Sequence, residues 1–358
     1  MKIMLKGRCV EGKRTGVGRY FANVLREWSK DKKQHNFDLY FKDEISNDNF
    51  LNANNFSSTL VPSLNSINIG PVWENFFLPR ALNKDADIYF SPLYTLPIFQ
   101  KTCKQVVTIF DISYIAHPEW FPLRNRISLQ LLTGPTVKQA DMILTGSEAT
   151  KLEIIKYYDV NPDKIKVTNL GVEQKFLELS QDQEKTNYLS SHVKDKYQLV
   201  GKVILFVGLI MNRRNVPVLM EAISRIINET NEQITLVILG KNHSFPYFEL
   251  DEVASENGIS DNLRWVTYTT DEEVFGFYKA ADVFVCSSLY EGFNIPPLEA
   301  MAMGVPVVCS NMSSLPEVVG EAAYLLDDPR DPLEMASAIK KVLFDEQLKE
   351  QLIKKGLA

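Results

Sequence analysis

Two carboxylates with seven residues between them open the chemistry of this chain: Glu291 and Glu299, in the run Glu-Gly-Phe-Asn-Ile-Pro-Pro-Leu-Glu. A carboxylate accepts hydrogen bonds on both oxygens, which suits the paired hydroxyls of a ribose or hexose. At this spacing each can touch one end of a ligand. Pro296 and Pro297 suit a first helical turn, where a missing N–H costs nothing. The N–H groups of Gly292, Phe293, Asn294 and Ile295 would then face outward at an electropositive helix start, favourable to phosphate or sugar oxygens. Gly292 lets a ligand come close to the backbone. Each part alone also has a structural reading. A Glu in a first turn complements the helix dipole, and Glu-Gly at a strand end makes a turn. Their combination points to a ligand. Two further places offer anion chemistry. Arg213 and Arg214, in Leu-Ile-Met-Asn-Arg-Arg-Asn, can clamp a diphosphate by charge-assisted hydrogen bonds, although adjacent surface arginines are usually only solvated. Gly16-Val17-Gly18 at a helix start offers backbone N–H groups, as many purely structural turns do.

Such groups need a frame. The apolar run 282–286 reads as a buried strand, 297–303 as a helix and 305–309 as a second strand, a βαβ unit. Sheets of this kind bind ligands at the carboxyl ends of their strands, where 291–296 would lie. Upstream, 202–208 and 233–239 read as strands, the second ending in Gly240-Lys241, and 216–227 as a helix. In the first half, short strands are predicted at 3–5, 37–41, 59–61, 88–90, 105–110, 142–144 and 166–168. Helices are predicted at 18–28, with Tyr20, Phe21, Val24, Leu25 and Trp28 on one face, at 71–83 and at 124–137. Ser147 reads as a helix cap. The segment after Asp111 is non-periodic and aromatic, and either a mobile lid or a core plug fits it. Alternating strands and helices in both halves predict an α/β protein of two Rossmann-like domains. The expected divisions are 1–178, a polar linker region with a lead-in helix at 179–198, and 199–358.

Here the residues resemble a known family. Glu291 to Glu299, followed by Ala-Met-Ala-Met-Gly-Val-Pro-Val-Val, and the later Ser314-Leu-Pro-Glu-Val-Val-Gly-Glu-Ala-Ala, are similar to the E-x7-E region of retaining glycosyltransferases of family 4 (group 1). Arg14-Thr-Gly-Val-Gly-Arg-Tyr resembles their N-terminal loop, which closes over the donor diphosphate. Arg213-Arg214-Asn215 lies where they have Arg-Lys-Asn, and Asn169-Leu-Gly-Val resembles the exit from their first domain. The segment through Asp111 and His117-Pro-Glu-Trp-Phe-Pro resembles Thr-Ile-His-Asp-Leu and His-Pro-Glu-x-Phe-Pro; Phe110 stands where the family has a His near the transferred sugar.

The resemblance implies the GT-B fold, two Rossmann-like domains facing each other across a cleft. It implies Glu291, Asp111 and Arg214 as catalytic. It puts Gly16, Gly18, Gly208, Arg213, Arg214, Lys241, Gly292, Phe293, Asn294, Ile295, Leu298 and Glu299 on the donor, with Glu299 at the ribose, and His117 and Ser147 on the acceptor side. It implies a hexose moved from a nucleotide-diphosphate sugar with retention of configuration, by a front-face route, without metal or cofactor. The style of the motifs leans toward mannosyltransferases and GDP-mannose, with a UDP-sugar as the alternative. The implied acceptor is a glycan or lipid-linked glycan of surface polysaccharide biosynthesis. Alanine at Glu291 or Arg214 is expected to lower turnover strongly with little loss of fold.

The bulk numbers set bounds. At 358 residues the chain has length for about two domains. A net charge of −6 and a pI near 5.5 argue against a nucleic-acid partner. Cys9, Cys103, Cys286 and Cys309 form no C-x-x-C pair and suggest a reducing compartment. The four histidines lack metal-ligand spacing, and no apolar run reaches the length of a spanning helix. Met-Lys-Ile-Met-Leu-Lys-Gly lacks a signal-peptide pattern. The expectation is a cytoplasmic protein with peripheral contact at the inner face of the membrane. A dehydrogenase fails for want of G-x-G-x-x-G after the first strand. The runner-up is a catalytically weak nucleotide-sugar-binding partner of an active transferase. It rests on Phe110 and on the end at Gly356-Leu-Ala, ahead of the crossover helix the family usually has.

Overall fold

A computed structural model describes residues 1–14, 16–31, 35–63, 70–99 and 101–358. Thr15, within the glycine motif, lies outside the described residues. The chain forms two compact units. The first comprises Met1–Ala116 and Leu123–Asn169; the second comprises His117–Pro122 and Leu170–Ala358.

The first unit holds seven strands: β1 (Lys2–Lys6), β2 (Asn36–Phe41), β3 (Phe56–Leu60), β4 (Ile88–Ser91), β5 (Lys104–Thr108), β6 (Met142–Thr145) and β7 (Ile165–Val167). Their order is β3-β2-β1-β4-β5-β6-β7, and all the pairs are parallel. Parallel strands are covered on both faces, so they read as short apolar runs. Leu5 and Leu39 face each other in register and are fully buried, with Phe90 on the other neighbour of Leu5. Helix Gly16–Ser29 covers this part of the sheet with Phe21, Ala22 and Leu25. The helical stretch predicted at 71–83 runs over Gly70–Ala81, with a π-helical turn at Trp73–Phe77. Fully buried Trp73 donates from Nε1 to the Val61 carbonyl at 2.6 Å.

The second unit holds six strands: β8 (Lys202–Val207), β9 (Ile234–Leu239), β10 (Leu263–Val266), β11 (Val283–Cys286), β12 (Val307–Ser310) and β13 (Ala323–Leu326). Their order is β10-β9-β8-β11-β12-β13, again parallel. Helices Val216–Thr230 and Pro332–Phe344 contribute to one core, and helix Asp271–Ala280 to the other.

The units divide at Asn169–Leu170, ahead of the expected 178, and the expected linker at 179–198 is part of the second unit. Its polar composition suggested a linker, but helix Gln183–Lys196 buries Thr186, Leu189 and Val193 at helical spacing. Asp182 caps it by accepting from the Lys185 N–H at 3.0 Å. Gly276 on helix Asp271–Ala280 allows the close approach; a Cβ there would meet the Leu189 carbonyl oxygen at 2.6 Å.

Each sheet has one place where strand order reverses, between β1 and β4 and between β8 and β11. The carboxyl side of such a point opens a crevice. In the first unit it is filled: Lys6, at the end of β1, pairs with buried Glu74 at 2.7 Å. The Lys6 ammonium also donates to the Thr95 hydroxyl at 3.1 Å and to the carbonyls of Leu93 and Thr95 at 3.3 Å.

A basic cluster at the strand-order reversal of the second unit

At the second reversal point the loops leaving β8 and β11 meet. The loop after β8 forms a 3-10 turn, Asn212–Arg214, and the loop after β11 carries Glu291. The Glu291 carboxylate is 3% exposed and pairs with both Arg213 and Arg214. Arg214 Nε lies 2.9 Å from Glu291 Oε1, close enough for an ion pair but without hydrogen-bond alignment. The Ser288 hydroxyl donates to the same oxygen at 3.0 Å. Burial opposes ionisation of Glu291, but the charges of Arg213 and Arg214 outweigh it and hold the carboxyl below its usual range. Burial lowers the Arg214 pKa, and the Glu291 charge acts against that shift. Two guanidiniums against one carboxylate sum to one positive charge.

The frame around the cluster is tightly tied. Arg213 donates from Nη1 to the Tyr290 carbonyl at 2.9 Å, and its own carbonyl accepts from the Leu289 N–H at 2.7 Å. Ser287 donates to the Arg214 carbonyl at 2.7 Å. Ser313 and Ser314 donate to the Glu291 carbonyl at 2.7 and 2.8 Å. Asn294 is left-handed at φ 84°, accepts from Arg214 Nη1 at 3.1 Å and donates to Cys286 Sγ at 3.1 Å. Gly208, at φ +141°, ends β8 next to the Arg214 guanidinium, where a Cβ would come within 3.4 Å. Gly240 ends β9 at φ +152°, and a Cβ there would lie 1.9 Å from the Gly208 carbonyl oxygen. Lys241 follows, its ammonium 4.3 Å from the centre of the Tyr268 ring.

Helix Pro296–Ala302 begins one residue before the predicted start and carries Glu299 in its first turn. The Tyr278 hydroxyl donates to Glu299 Oε2 at 2.6 Å, orienting it. Phe293 is buried, Gly292 lies beside it, and Ile295 and Leu298 are half-buried on the same loop and helix. The second unit thus gathers Gly208, Arg213, Arg214, Lys241, Glu291, the 292–295 loop, Leu298 and Glu299 on two neighbouring connections and one strand end.

The chain matches the sequence pattern described as Glycosyl transferases group 1 over residues 192–358, which includes this cluster. It is 33% identical over 274 residues to O-antigen chain mannosyltransferase B of Escherichia coli, an alignment covering 76% of this chain and 69% of that protein. The chain belongs to the group 1 glycosyltransferases. It is also 30% identical over 222 residues to the serotype-specific mannosyltransferase WbdA of Escherichia coli, covering 62% of this chain but only 27% of that longer protein. Anabaena HepE, solved with UDP and glucose, superposes over 100% of this chain and 94% of its own with a TM-score of 0.75 at 15% identity. WaaG, a glycosyltransferase involved in lipopolysaccharide biosynthesis, gives 0.76 at 15% identity, with the same coverages. The fold is GT-B.

The group 1 candidates outside this cluster separate by environment. A Cβ on Gly18 would meet the Cys9 carbonyl oxygen at 2.4 Å, so this glycine serves packing, whereas nothing lies within 4 Å of one on exposed Gly16. Asp111 accepts from the Ser113 N–H at 3.0 Å and hydroxyl at 2.6 Å, ahead of the short helix Ser113–Ala116. Phe110 packs edge-on against Tyr20 at 5.2 Å, which gives the aromatic ring a packing partner. Ser147 lies at a helix start, as its reading as a cap predicted. It is fully buried and caps helix Glu148–Tyr158, accepting from the Thr150 N–H at 3.1 Å. His117 groups with the second unit, stacked on Trp120. Among the described residues, no group of three or more His, Cys, Asp or Glu could hold a metal, and no helix is long and apolar enough to cross a membrane.

Sequence reading missed Tyr278, Ser288, Ser313 and Ser314. Only Ser314 lay in a quoted motif. Tyr278 and Ser313 carry no local signal, because their partners Glu299 and Glu291 lie 21 and 22 residues away, and Ser288, three residues before its partner Glu291, reads as an ordinary loop serine.

Proposed function

We propose that this glycosyltransferase transfers mannose from GDP-mannose, with retention, to a lipid-linked surface glycan on the cytoplasmic side of the membrane. The observation that carries the reading is the alignment with O-antigen chain mannosyltransferase B, long enough to span parts of both units. In the proposed reaction Arg213 and Arg214 hold the donor diphosphate. Negative charge builds on that group as the sugar–oxygen bond breaks, so preorganised guanidiniums lower the barrier. Glu291 keeps both arginines aimed and limits their mutual repulsion. Glu299, oriented by Tyr278, accepts hydrogen bonds from the ribose hydroxyls. Asp111 remains a catalytic candidate of the proposal and exposed Gly16 a candidate for the donor diphosphate. The front-face course follows from the family resemblance, with the two arginines supplying the positive charge and no cofactor.

Two features of the first unit favour a lipid-linked acceptor. It carries 22 Lys and Arg against 16 Asp and Glu; the second unit carries 17 against 29, completing the 39 and 45 of the chain. Helix Leu123–Gln139 exposes Leu123, Ile127 and Leu131, spaced by four and so on one helix face. A net positive unit with an exposed apolar row suits an anionic bilayer surface.

Thermal unfolding with GDP, UDP, ADP and CMP tests the donor. A nucleotide at about 100 times its dissociation constant adds about 2.7 kcal/mol. The expected result is a shift with GDP, followed by mannose release from GDP-mannose. A shift and turnover with UDP-glucose alone overturn the donor assignment.

A further inference from the structure

The segment His117–Pro122 groups with the second unit, although Ala116 and Leu123 on either side of it belong to the first. Its hold is aromatic. His117 stacks on Trp120 with ring centres 4.1 Å apart and planes 19° apart. Both rings reach Tyr290, His117 edge-on at 5.3 Å and Trp120 tilted at 6.5 Å. The segment is short and stiff. Pro118 and Pro122 fix two of its φ angles, and the Trp120 and Phe121 N–H groups donate back to His117 and Pro118 at 3.2 and 3.3 Å.

Tyr290 is 3% exposed, yet it and Trp120 stand outside both large apolar cores of the unit. It precedes Glu291, and its carbonyl is the one that Arg213 grips. On its other side the Glu291 backbone is pinned by Ser313 and Ser314. The Tyr290–Glu291 backbone is therefore held downstream by two hydroxyls and upstream by a ring cluster.

We propose that His117 and Trp120 are positioning residues, an aromatic strap that acts through Tyr290 to aim the Glu291 carboxylate at Arg213 and Arg214. This rests on the reading of that cluster as the donor site. Aromatic pairs prefer definite edge-on and offset geometries, so a ring cluster fixes direction as well as contact. A misplacement of about 1 Å in a group beside the reacting atoms can cost about 100-fold in rate. Because the strap lies outside both cores, its loss costs turnover more than fold.

A double-mutant cycle on the full chain tests the strap: Trp120→Ala, Tyr290→Leu and the pair, with Trp120→Phe and Tyr290→Phe as conservative variants. The expected result is a loss of about 10-fold or more in kcat for each single change, with nucleoside diphosphate affinity and thermal midpoint near wild type. The pair is expected to lose no more than the worse single variant, and the two phenylalanine variants to keep most of the rate. Additive losses, an unchanged kcat for Trp120→Ala, or an equal loss of nucleotide binding overturn the proposal. If Trp120→Ala does not fold, Trp120→Leu takes its place. A second readout needs no turnover: Tyr290→Leu must shift the Trp120 emission, read as the difference from the same variant with Trp120→Phe, and an unshifted emission also overturns the strap. Turnover of UDP-glucose in place of GDP-mannose sinks the donor assignment only, and the cycle is then run with the donor used.

Discussion

The two strand-order reversals occupy equivalent places in two similar sheets, and the chain fills them in opposite ways. Between β1 and β4, Lys6 and Glu74 cancel in charge, and the ammonium has the Glu74 carboxylate and three further oxygens within 3.3 Å. Between β8 and β11, Arg213 and Arg214 share one carboxylate and leave a net positive charge. The first crevice is saturated and serves stability. The second sets two guanidiniums against one carboxylate, which suits the anionic leaving group of the proposed transfer. The lesson is that architecture offers the place, while charge balance decides whether the place is plugged or used.

The comparison breaks most sharply at Arg214. Arg214→Ala is expected to lower kcat about 100- to 1000-fold, and Arg214→Lys less, since it keeps the charge but loses the fork. Turnover of the donor checks this, and a wild-type rate would reverse the roles given to the two crevices. In the first unit the expected damage is to stability. Glu74→Ala leaves the Lys6 ammonium buried and unpaired, at a cost of about 3–5 kcal/mol, while the folded fraction keeps its kcat. Lys6→Met with Glu74→Leu should regain most of that loss in urea unfolding. The same argument revises the expectation for Glu291→Ala. Leaving two nearly buried guanidiniums without their carboxylate should cost fold as well as turnover.

Glycines sharpen the contrast at a smaller scale. Gly240→Ala forces a Cβ against the Gly208 carbonyl oxygen in backbone that favours glycine, and should cost about 2–3 kcal/mol. Gly16→Ala meets no atom and should change stability by less than about 0.5 kcal/mol, so any fall in its turnover reports a ligand close to that backbone. Thermal melts beside kinetics separate the two cases.

The smallest effect expected is a pH dependence within the second unit. Burial opposes ionisation of Glu273, but Lys196 at 2.5 Å, the Thr269 hydroxyl and the Thr270 N–H outweigh it and lower its pKa to about 2. A carboxyl depressed below its unfolded value near 4.5 contributes stability above that pH and loses it as pH falls toward 2. The melting-temperature gap between wild type and Glu273→Gln should be full at neutral pH and close over that window. A gap independent of pH would show that the capping geometry, and not the charge, stabilises the helix start.

How far the sequence reaches can be judged residue by residue. Apolar runs alternating with amphipathic stretches set the strands, the helices and the parallel α/β class, because a short continuous apolar run and a 3.6-residue period are both local properties. The Glu291–Glu299 run and the Arg213-Arg214 pair stood out by residue type and spacing as candidate ligand groups, and the family resemblance is what assigned them to a donor. The polar segment 179–198 was legible as partly helical, but its place in the second unit depends on contacts with helix Asp271–Ala280, far along the chain. Ser147 showed its cap but not its full burial. What only the tertiary structure decided is which groups meet. β8 and β11 are neighbours, so Glu291 closes on two arginines 77 and 78 positions earlier, Tyr278 reaches Glu299, and the His117–Trp120 stack lands on Tyr290. Those meetings follow from strand order and packing, and no local pattern in the chain encodes them.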